Sequence, residues 1–247
     1  MAPRPGGLEG EMDQKILAVE TSGRACSLAL AERTADRTTT RCEILFDMGP
    51  RHSEILKDAC VFALRKCGWN KEGLDLCAVS VGPGSFTGLR VGIAFTRALA
   101  GALRIPLAGV TSFEILAESR RAQSSGTEGI GLVAVLLDSI SGQVCAGLFK
   151  PGALRPASPY SVLKIPELCS RLGRYRAVEF VGDGFLRHRR EIEKRLGPGR
   201  VRAPALPAVL KASDLARIAR PPAGKKIRAP VLPLYLRPPM AVERMAR

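Results

Sequence analysis

Aromatic residues, histidines and long apolar runs are all scarce in this 247-residue chain, and each scarcity excludes a class of protein. Aromatic residues make up only 5% of the sequence, so few rings can stack on nucleic-acid bases. The two histidines, His52 and His188, are too few for a histidine-rich metal site. The longest interior apolar run, 132–137, is far too short to span a membrane.

The sequence also lacks any Cys-x-x-Cys pair, although it contains seven cysteines. Several of them, such as Cys26 and Cys77, lie inside apolar runs, so we expect reduced core residues and no disulfide or zinc site. Residues 1–14 lack the apolar segment of a signal peptide. We therefore expect a disordered leader and a cytoplasmic protein.

Acidic residues are scarce in the second half of the chain. Residues 1–150 contain 17 Lys and Arg against 16 Asp and Glu, whereas residues 151–247 contain 21 against 7. This imbalance indicates association with nucleic acid or with an acidic partner. In that case Arg187, Arg189 and Arg190 supply electrostatic attraction without base reading. A codon bias towards Arg, Pro, Gly and Ala explains the charge equally well, and both interpretations stay open.

Hydrophobic periodicity predicts two consecutive α/β units. The first has strands at 15–20, 25–31 and 41–46, a helix at 53–67, a strand at 76–81, a helix ending near 103 and a strand at 106–110. Thr111 and Glu114 then have the spacing of a capping box that opens a helix ending near 122. We expect lobes at 15–122 and 130–220, followed by a linker and an extended segment at 221–247.

A glycine-rich turn follows the strand at 76–81. Gly82, Pro83 and Gly84 break the strand, and Ser85 or Thr87 can cap the helix that follows. The end of a strand, a glycine turn and a helix N-terminus together can present backbone N–H groups to an anion. The glycine spacing fits neither a dinucleotide fingerprint nor a P-loop.

Small residues recur every four positions along that helix, at Gly88, Gly92, Thr96 and Ala100. They form one stripe, and each interior glycine costs roughly 1 kcal/mol of helix stability relative to alanine. Close packing within the chain's own lobe accounts for the stripe. The alternative is a facing partner helix, in which case the interface includes the residues Ile55, Ala59, Phe62, Gly88, Gly92, Thr96 and Arg97.

The second unit opens like the first. In both, a strand ends in an acid, a turn with Ser or Thr and Gly follows, and a cysteine lies on the returning strand. The acids are Glu20 and Asp138, and the cysteines are Cys26 and Cys145. Facing acids at the ends of two such strands are typical of the lobes of actin-like ATPases. Turn capping by each acid is the simpler alternative.

Five segments together resemble the TsaB family, which takes part in bacterial tRNA threonylcarbamoyladenosine synthesis. They are 16–22, 51–56, 82–92, 110–117 and 233–237. The resemblance implies an α/β fold of two ribonuclease-H-like lobes, as in actin-like ATPases. It also implies a candidate vestigial phosphate site at Glu20, Thr21, Gly82, Gly84, Ser85 and Asp138.

The resemblance further implies a non-catalytic scaffold and activator of TsaD, the transferase, with TsaE as a further partner. It implies a homodimer when the chain is alone, tRNA contact through the complex, no membrane and no metal. The chain itself requires no cofactor, and ATP or ADP can enter the assembled complex. TsaD carries two metal-binding histidines four residues apart, and the matching positions here are Ser112 and Leu116.

An active enzyme remains the alternative, either an ATPase or kinase of the actin-like fold or a glycoprotease-type enzyme. This sequence differs from the usual pattern of the TsaB family at two positions that are relevant to this alternative. Many TsaB-like chains have Asp where Glu20 stands, and a Glu at this position also resembles TsaD, so this residue does not separate the two families. The turn after Asp138 lacks the arginine often found there.

Overall fold

The computed structural model describes residues 13–47, 52–123, 129–139, 142–203, 209–222 and 231–236. Residues 1–12 of the expected leader, the link at 124–128 and most of the linker at 221–230 lie outside these residues, and the last residue of that leader, Gln14, begins a strand. Among the residues described, no helix combines the length and apolarity needed to cross a bilayer. All seven cysteines are free, and five of them are buried.

The first lobe is a five-stranded sheet with two helices on one face. Three antiparallel strands come first, and two parallel strands extend the sheet beside β1, in the order β3-β2-β1-β4-β5. The strands are β1 (Gln14–Glu20), β2 (Cys26–Arg33), β3 (Thr38–Phe46), β4 (Leu76–Gly82) and β5 (Leu107–Thr111). The helices are α1 (His52–Lys66) and α2 (Phe86–Leu103).

The second lobe repeats this arrangement, which confirms the internal repeat. Its sheet has the order β10-β9-β6-β7-β8, the same connectivity as the first sheet. The strands are β6 (Leu132–Asp138), β7 (Gln143–Phe149), β8 (Ser161–Lys164), β9 (Val178–Val181) and β10 (Val201–Arg202). The helices α4 (Ile165–Leu172) and α5 (Asp183–Leu196) occupy the places of α1 and α2.

Two further helices, α3 (Ser112–Gln123) and α6 (Ala212–Ile218), fill the space between the sheets. Helix α3 packs Phe113 and Leu116 on the second sheet and Ile115 on the first. Helix α6 packs Leu215 on the first sheet, among Ile16 and other β1 and β2 residues. The layers are therefore α1 and α2, the first sheet, α3 and α6, the second sheet, and α4 and α5.

The position of α6 corrects the expected lobe boundary, which placed this helix with the second lobe. Its first turn is bound to the first sheet, since the Ser213 N–H donates to Glu43 at 2.9 Å and the Ala212 N–H donates to Ser27 at 3.0 Å. The Arg33 guanidinium donates to the Ala216 carbonyl at 2.7 Å. Apolar pattern alone marks a helix but does not say which sheet it covers.

Capping residues explain where α2 and α3 begin. The predicted capping box is present, because the Thr111 N–H donates to Glu114 at 2.8 Å and the Glu114 N–H donates to the Thr111 hydroxyl at 3.2 Å. Ser85, one of the two predicted caps of α2, accepts from the Gly88 N–H at 3.1 Å.

We expect Leu215→Ala to destabilise the first lobe, because Leu215 is fully buried in the core under the first sheet. Loss of a buried leucine side chain costs about 2–5 kcal/mol of unfolding free energy. Urea unfolding measures the loss, and amide exchange locates it in β1 and β2. Leu232→Ala is the control, since this side chain is 61% exposed. Exchange that accelerates only in β6 to β10 would contradict the placement of α6.

Candidate functional site

The candidate site is a cleft of about 440 Å³ where the ends of strands from both lobes face each other. The turn after β1, the glycine turn after β4, the end of β6 and the start of α5 contribute to its walls. The lining residues are Ser22, Gly23, Arg24, Pro83, Gly84, Ser85, Leu137, Asp138, Asp183 and Leu210. The structure therefore brings Gly84, Ser85 and Asp138 of the predicted phosphate site to one cleft, as the sequence indicated.

Glu20 lies behind the wall of this cleft, fully buried at the end of β1. Its Oε1 accepts hydrogen bonds from the Ser22 N–H at 2.8 Å and from the Ser22 hydroxyl. The Ser22 hydroxyl lies 2.8 Å from that of Ser112, which is 3.2 Å from that of Ser80. Burial raises the pKa of Glu20, and the bonds from Ser22 oppose that shift.

The second oxygen of Glu20, Oε2, is buried and has no hydrogen-bond partner among the described residues. It points towards Gly23, where the side chain of Leu210 approaches the turn closely. An orphaned buried carboxylate oxygen favours the protonated acid, which can donate where the anion cannot.

The small-residue stripe of α2 packs on the turn after β1, within the same lobe. A Cβ at Gly88 would overlap the Thr21 carbonyl oxygen, and one at Gly92 would overlap the Thr21 hydroxyl. A Cβ at Gly84 would overlap the Ser22 carbonyl oxygen. The Thr21 hydroxyl donates to the Gly88 carbonyl at 2.8 Å. The glycines are thus required by close approach of the chain's own backbone.

This packing corrects the prediction that the stripe faces a partner helix. Gly88, Gly92 and Thr96 are buried inside the lobe, and Thr96 donates to the Gly92 carbonyl of its own helix at 2.7 Å. Arg97 donates to the Val231 carbonyl of the C-terminal segment. The sequence identified a close contact correctly but could not say which surface makes it.

Of the predicted interface residues on α1, Phe62 is 45% exposed, whereas Ala59 is buried and Ile55 is half-buried. The exposed residues of α1 and α2 include charged side chains such as Arg90 and Arg97. The exposed small or apolar residues of the two helices include Val61, Phe62, Ala94, Ala98 and Gly101. We call these five residues the apolar face.

Some of the backbone N–H groups that were expected to bind an anion at the glycine turn already donate hydrogen bonds within the protein. The Ser85 N–H donates to the Ser22 carbonyl at 2.7 Å, and the Ser85 hydroxyl accepts from the Gly88 N–H. Thr21 is fully buried, and Gly82 contacts the Leu89 side chain and the Leu234 carbonyl. The turn is therefore a tightly packed structural element as well as a wall of the cleft.

In the second lobe, residues of α5 form hydrogen bonds with Asp138. The Arg187 guanidinium donates to Asp138 Oδ2 at 2.6 Å, and the Asp138 N–H donates to Asp183 Oδ1 at 3.0 Å. His188 Nε2 lies 3.8 Å from Asp138 Oδ1, and neither atom has a hydrogen-bond partner among the described residues. The predicted phosphate site did not include Asp183 or His188. The Gly-Asp-Gly turn after β9, which mirrors the Gly-Pro-Gly turn after β4, is the signal that marks them.

The positions that match the metal-binding histidines of TsaD have other roles here. Ser112 is buried in the hydroxyl network beneath Glu20, and Leu116 is buried in the core between α3 and the second sheet. Within the described part of the chain, no three or more His, Cys, Asp or Glu side chains are placed to hold a metal ion.

Comparisons with known proteins agree with this geometry. A family model described as TsaD, tRNA N6-adenosine threonylcarbamoyltransferase, matches residues 47–170. The tRNA threonylcarbamoyladenosine biosynthesis protein TsaB of Bacillus subtilis is 31% identical over 185 residues, which cover 74% of this chain and 76% of that protein. The chain belongs to the TsaB family.

Further relatives of this TsaB family member cover less sequence or share only the fold. The Escherichia coli TsaB is 30% identical over 131 residues, 53% of this chain and 52% of that protein. A Pseudomonas aeruginosa crystal structure, described as an uncharacterized protein with similarity to peptidase YeaZ, has a TM-score of 0.68 at 25% identity. The superposition covers 91% of this chain and all of that one. The fold is that of two ribonuclease-H-like lobes, as in actin-like ATPases.

We expect Gly88→Ala to destabilise the isolated protein, because its new methyl group meets the backbone of Thr21. Overpacking of this kind costs about 1–3 kcal/mol, measured by urea unfolding. Gly101→Ala is the matched control on the same helix, since nothing lies within 4 Å of the place its methyl group would take. That variant should gain about 0.5–1 kcal/mol of helix stability. Equal effects of the two substitutions would contradict the packing of the stripe.

We expect Glu20→Gln to become progressively more stable than wild type as pH rises. Burial raises the pKa of Glu20 above its ordinary value of 4.5, so folding favours the protonated acid. The associated stability is complete below pH 4.5 and declines as pH rises through the folded-state pKa, whereas Gln stays neutral. Urea unfolding from about pH 4 to 8 measures the difference. Glu72→Gln, an exposed control, should follow the wild-type profile, and a pH-independent Glu20→Gln difference would refute the shift.

Proposed function

We propose that this chain is the non-catalytic scaffold and activator of a complex that forms threonylcarbamoyladenosine in tRNA. The family relation to TsaB supports this pathway. In this proposal TsaD transfers the threonylcarbamoyl group, TsaE is a further partner, and this chain holds TsaD in its active state. The chain forms a homodimer when alone and meets tRNA within the complex.

One observation carries the non-catalytic assignment: Ser112 and Leu116 occupy the places of the two TsaD histidines and are both buried. A leucine side chain cannot bind a metal, and the Ser112 hydroxyl already takes part in the network with Ser22 and Ser80. A metal that polarises the transferred group would therefore find no ligand at these two positions.

The apolar face is the proposed contact surface for TsaD and for the homodimer. Val61 is 60% exposed and Phe62 is 45% exposed, beside Ala94, Ala98 and Gly101, whose small side chains allow a facing helix to approach. Arg65 and Lys66 lie over the Phe62 ring at 6.0 and 5.6 Å, so cations border the apolar area. An aromatic anchor surrounded by polar residues is typical of protein interfaces.

An actin-like ATPase or kinase is the second candidate, and the cleft supports it. Asp138 and Asp183 line the cleft from the second lobe, and a carboxylate oxygen of Asp138 has no hydrogen-bond partner among the described residues. Two carboxylates in a cleft can hold the cation of a metal–nucleotide complex. Tight, metal-dependent binding of ATP to the isolated chain, measured by calorimetry, favours this candidate. Binding of nucleotide only after TsaD is added favours the scaffold.

We expect Phe62→Glu to abolish most activation of TsaD while leaving the melting temperature nearly unchanged. The substitution places a charge in the centre of the proposed interface, and loss of such an anchor weakens binding at least tenfold. The measurement is formation of threonylcarbamoyladenosine in unmodified tRNA by TsaD, TsaE and this chain, with threonylcarbamoyl-adenylate supplied.

Leu45→Glu serves as the control for this experiment, because Leu45 is 44% exposed on β3, outside the apolar face. It should retain wild-type activation. Modified tRNA formed by this chain without TsaD, or stoichiometric iron or zinc in the purified protein, would overturn the scaffold proposal. Equal losses in the two variants would refute the apolar face as the contact surface.

A further inference from the structure

The duplicated fold gives the two lobes equivalent two-helix surfaces that carry different exposed side chains. Helices α1 and α2 cover the outer face of the first sheet, and α4 and α5 cover the outer face of the second. On α2 the exposed residues include Arg90 and Arg97 together with small residues such as Ala94, Ala98 and Gly101. On α5 the exposed residues include Arg187, Arg190 and Lys194, which follow one side of the helix.

Some of the cations on α5 are neutralised within the protein. Arg189 pairs with Glu193 at 2.7 Å, Arg195 pairs with Glu191 at 3.0 Å, and Arg187 pairs with Asp138 at 2.6 Å. The first two are exposed pairs one helical turn apart, which contribute a few tenths of a kcal/mol and exchange readily with solvent.

Arg190 and Lys194 differ from these, because neither has a carboxylate partner within the described ranges. Both are exposed, and they stand four residues apart on the same side of the helix. Like charges at this spacing repel and destabilise a helix by a few tenths of a kcal/mol. Arg187, although paired with Asp138, continues their line along the helix, which is about 10 Å long. We call these three residues the basic face.

We propose that the basic face binds the phosphate backbone of RNA, and that this lobe thereby holds the tRNA substrate while the apolar face holds the protein partner. The inference rests on the proposed function for the identity of the RNA. A polyanion relieves the repulsion between Arg190 and Lys194, and these two cations take the place of counterions that the RNA releases. RNA is the polyanion that a tRNA-modifying complex must hold.

Contact with phosphate, and not with bases, is what this surface can provide. Tyr175, the nearest ring in the loop after α4, is only half-exposed and is covered by the Arg174 guanidinium at 5.0 Å. Phe185 of α5 is buried and stacks on Phe180 at 5.0 Å. Without exposed rings, the surface positions RNA independently of sequence.

The test is the affinity of the full-length chain for an unmodified tRNA transcript, measured by fluorescence anisotropy across a salt series. Arg190→Glu with Lys194→Glu should weaken binding at least tenfold at low salt. Loss of two phosphate contacts should also reduce the slope of log affinity against log salt by about one to two. The milder Arg190→Gln with Lys194→Gln should show the same slope change, and circular dichroism verifies folding of both variants.

Arg37→Glu with Lys71→Glu is the matched control, because it makes the same change in net charge at exposed positions of the first lobe. It should retain most of the affinity and the wild-type slope. Equal losses in control and variant would show that net charge alone is responsible, and would overturn the inference.

Three outcomes separate this inference from the proposed function. If the double variant still binds tRNA normally and activates TsaD as wild type does, the basic face is refuted and the scaffold role stands. If the variant loses affinity for TsaD and keeps its affinity for tRNA, the face serves an acidic protein, and the RNA assignment is wrong. Loss of tRNA affinity in a chain that never activates TsaD supports the face and refutes the scaffold role.

Discussion

Contact between the turn after β1 and the glycines of α2 sets the geometry of the first lobe. Thr21 and Ser22 lie so close to α2 that only hydrogen fits at positions 84, 88 and 92. The contact fixes the helix against the sheet and therefore fixes the direction of its outward face. It also occupies the Ser85 N–H, one of the donors with which related folds bind phosphate. The same interaction thus holds α2 against the sheet and occupies an N–H group that an anion in the cleft would otherwise accept from.

Buried charged side chains of α3 form ion pairs with residues of α6 and of the second sheet. Glu118 of α3 is fully buried and accepts from Arg121 at 2.7 Å and from Arg217 of α6 at 3.1 Å. Arg120 of α3 donates to Glu179 of β9 at 2.6 Å, where both side chains are buried. Ion pairs at these depths are costly to break one partner at a time, so they hold α3 in one position between the two sheets.

Much of the fold was predictable from the sequence. The periodicity of apolar residues indicated most strands and helices, and capping residues indicated where α2 and α3 begin. The repeat of a strand-end acid, a glycine turn and a cysteine led to the two lobes. The prediction missed β8 and α4. Strand β8 has only four residues, and helix α4 has only eight, which is too few for an apolar period to repeat clearly. Short elements fall below the length at which period is informative.

The candidate site was predicted in part, and the reason lies in what sequence spacing can encode. The spacing of the glycines indicated close approach correctly, but the approaching atoms belong to Thr21, which lies 67 residues earlier than Gly88. Contacts between distant segments also decide three other features. They place α6 on the first sheet, Asp183 in the wall of the cleft and His188 beside Asp138. The sequence showed the excess of positive charge in the second half of the chain. It did not show which of those arginines form ion pairs with acidic residues.

The exchange of α3 and α6 between lobes has a consequence for the nascent chain. The apolar side of β1 and β2, with Ala29 and Ala31, leaves the ribosome early, but the helix that covers it is made from residue 212 onwards. At about 5–20 residues per second, roughly ten seconds separate the synthesis of α3 from that of α6. During this interval α3 alone can cover this side of the first sheet, and the part that α6 buries stays exposed. The order of translation therefore cannot be the order of folding, and neither half of the gene encodes a unit that is finished on its own.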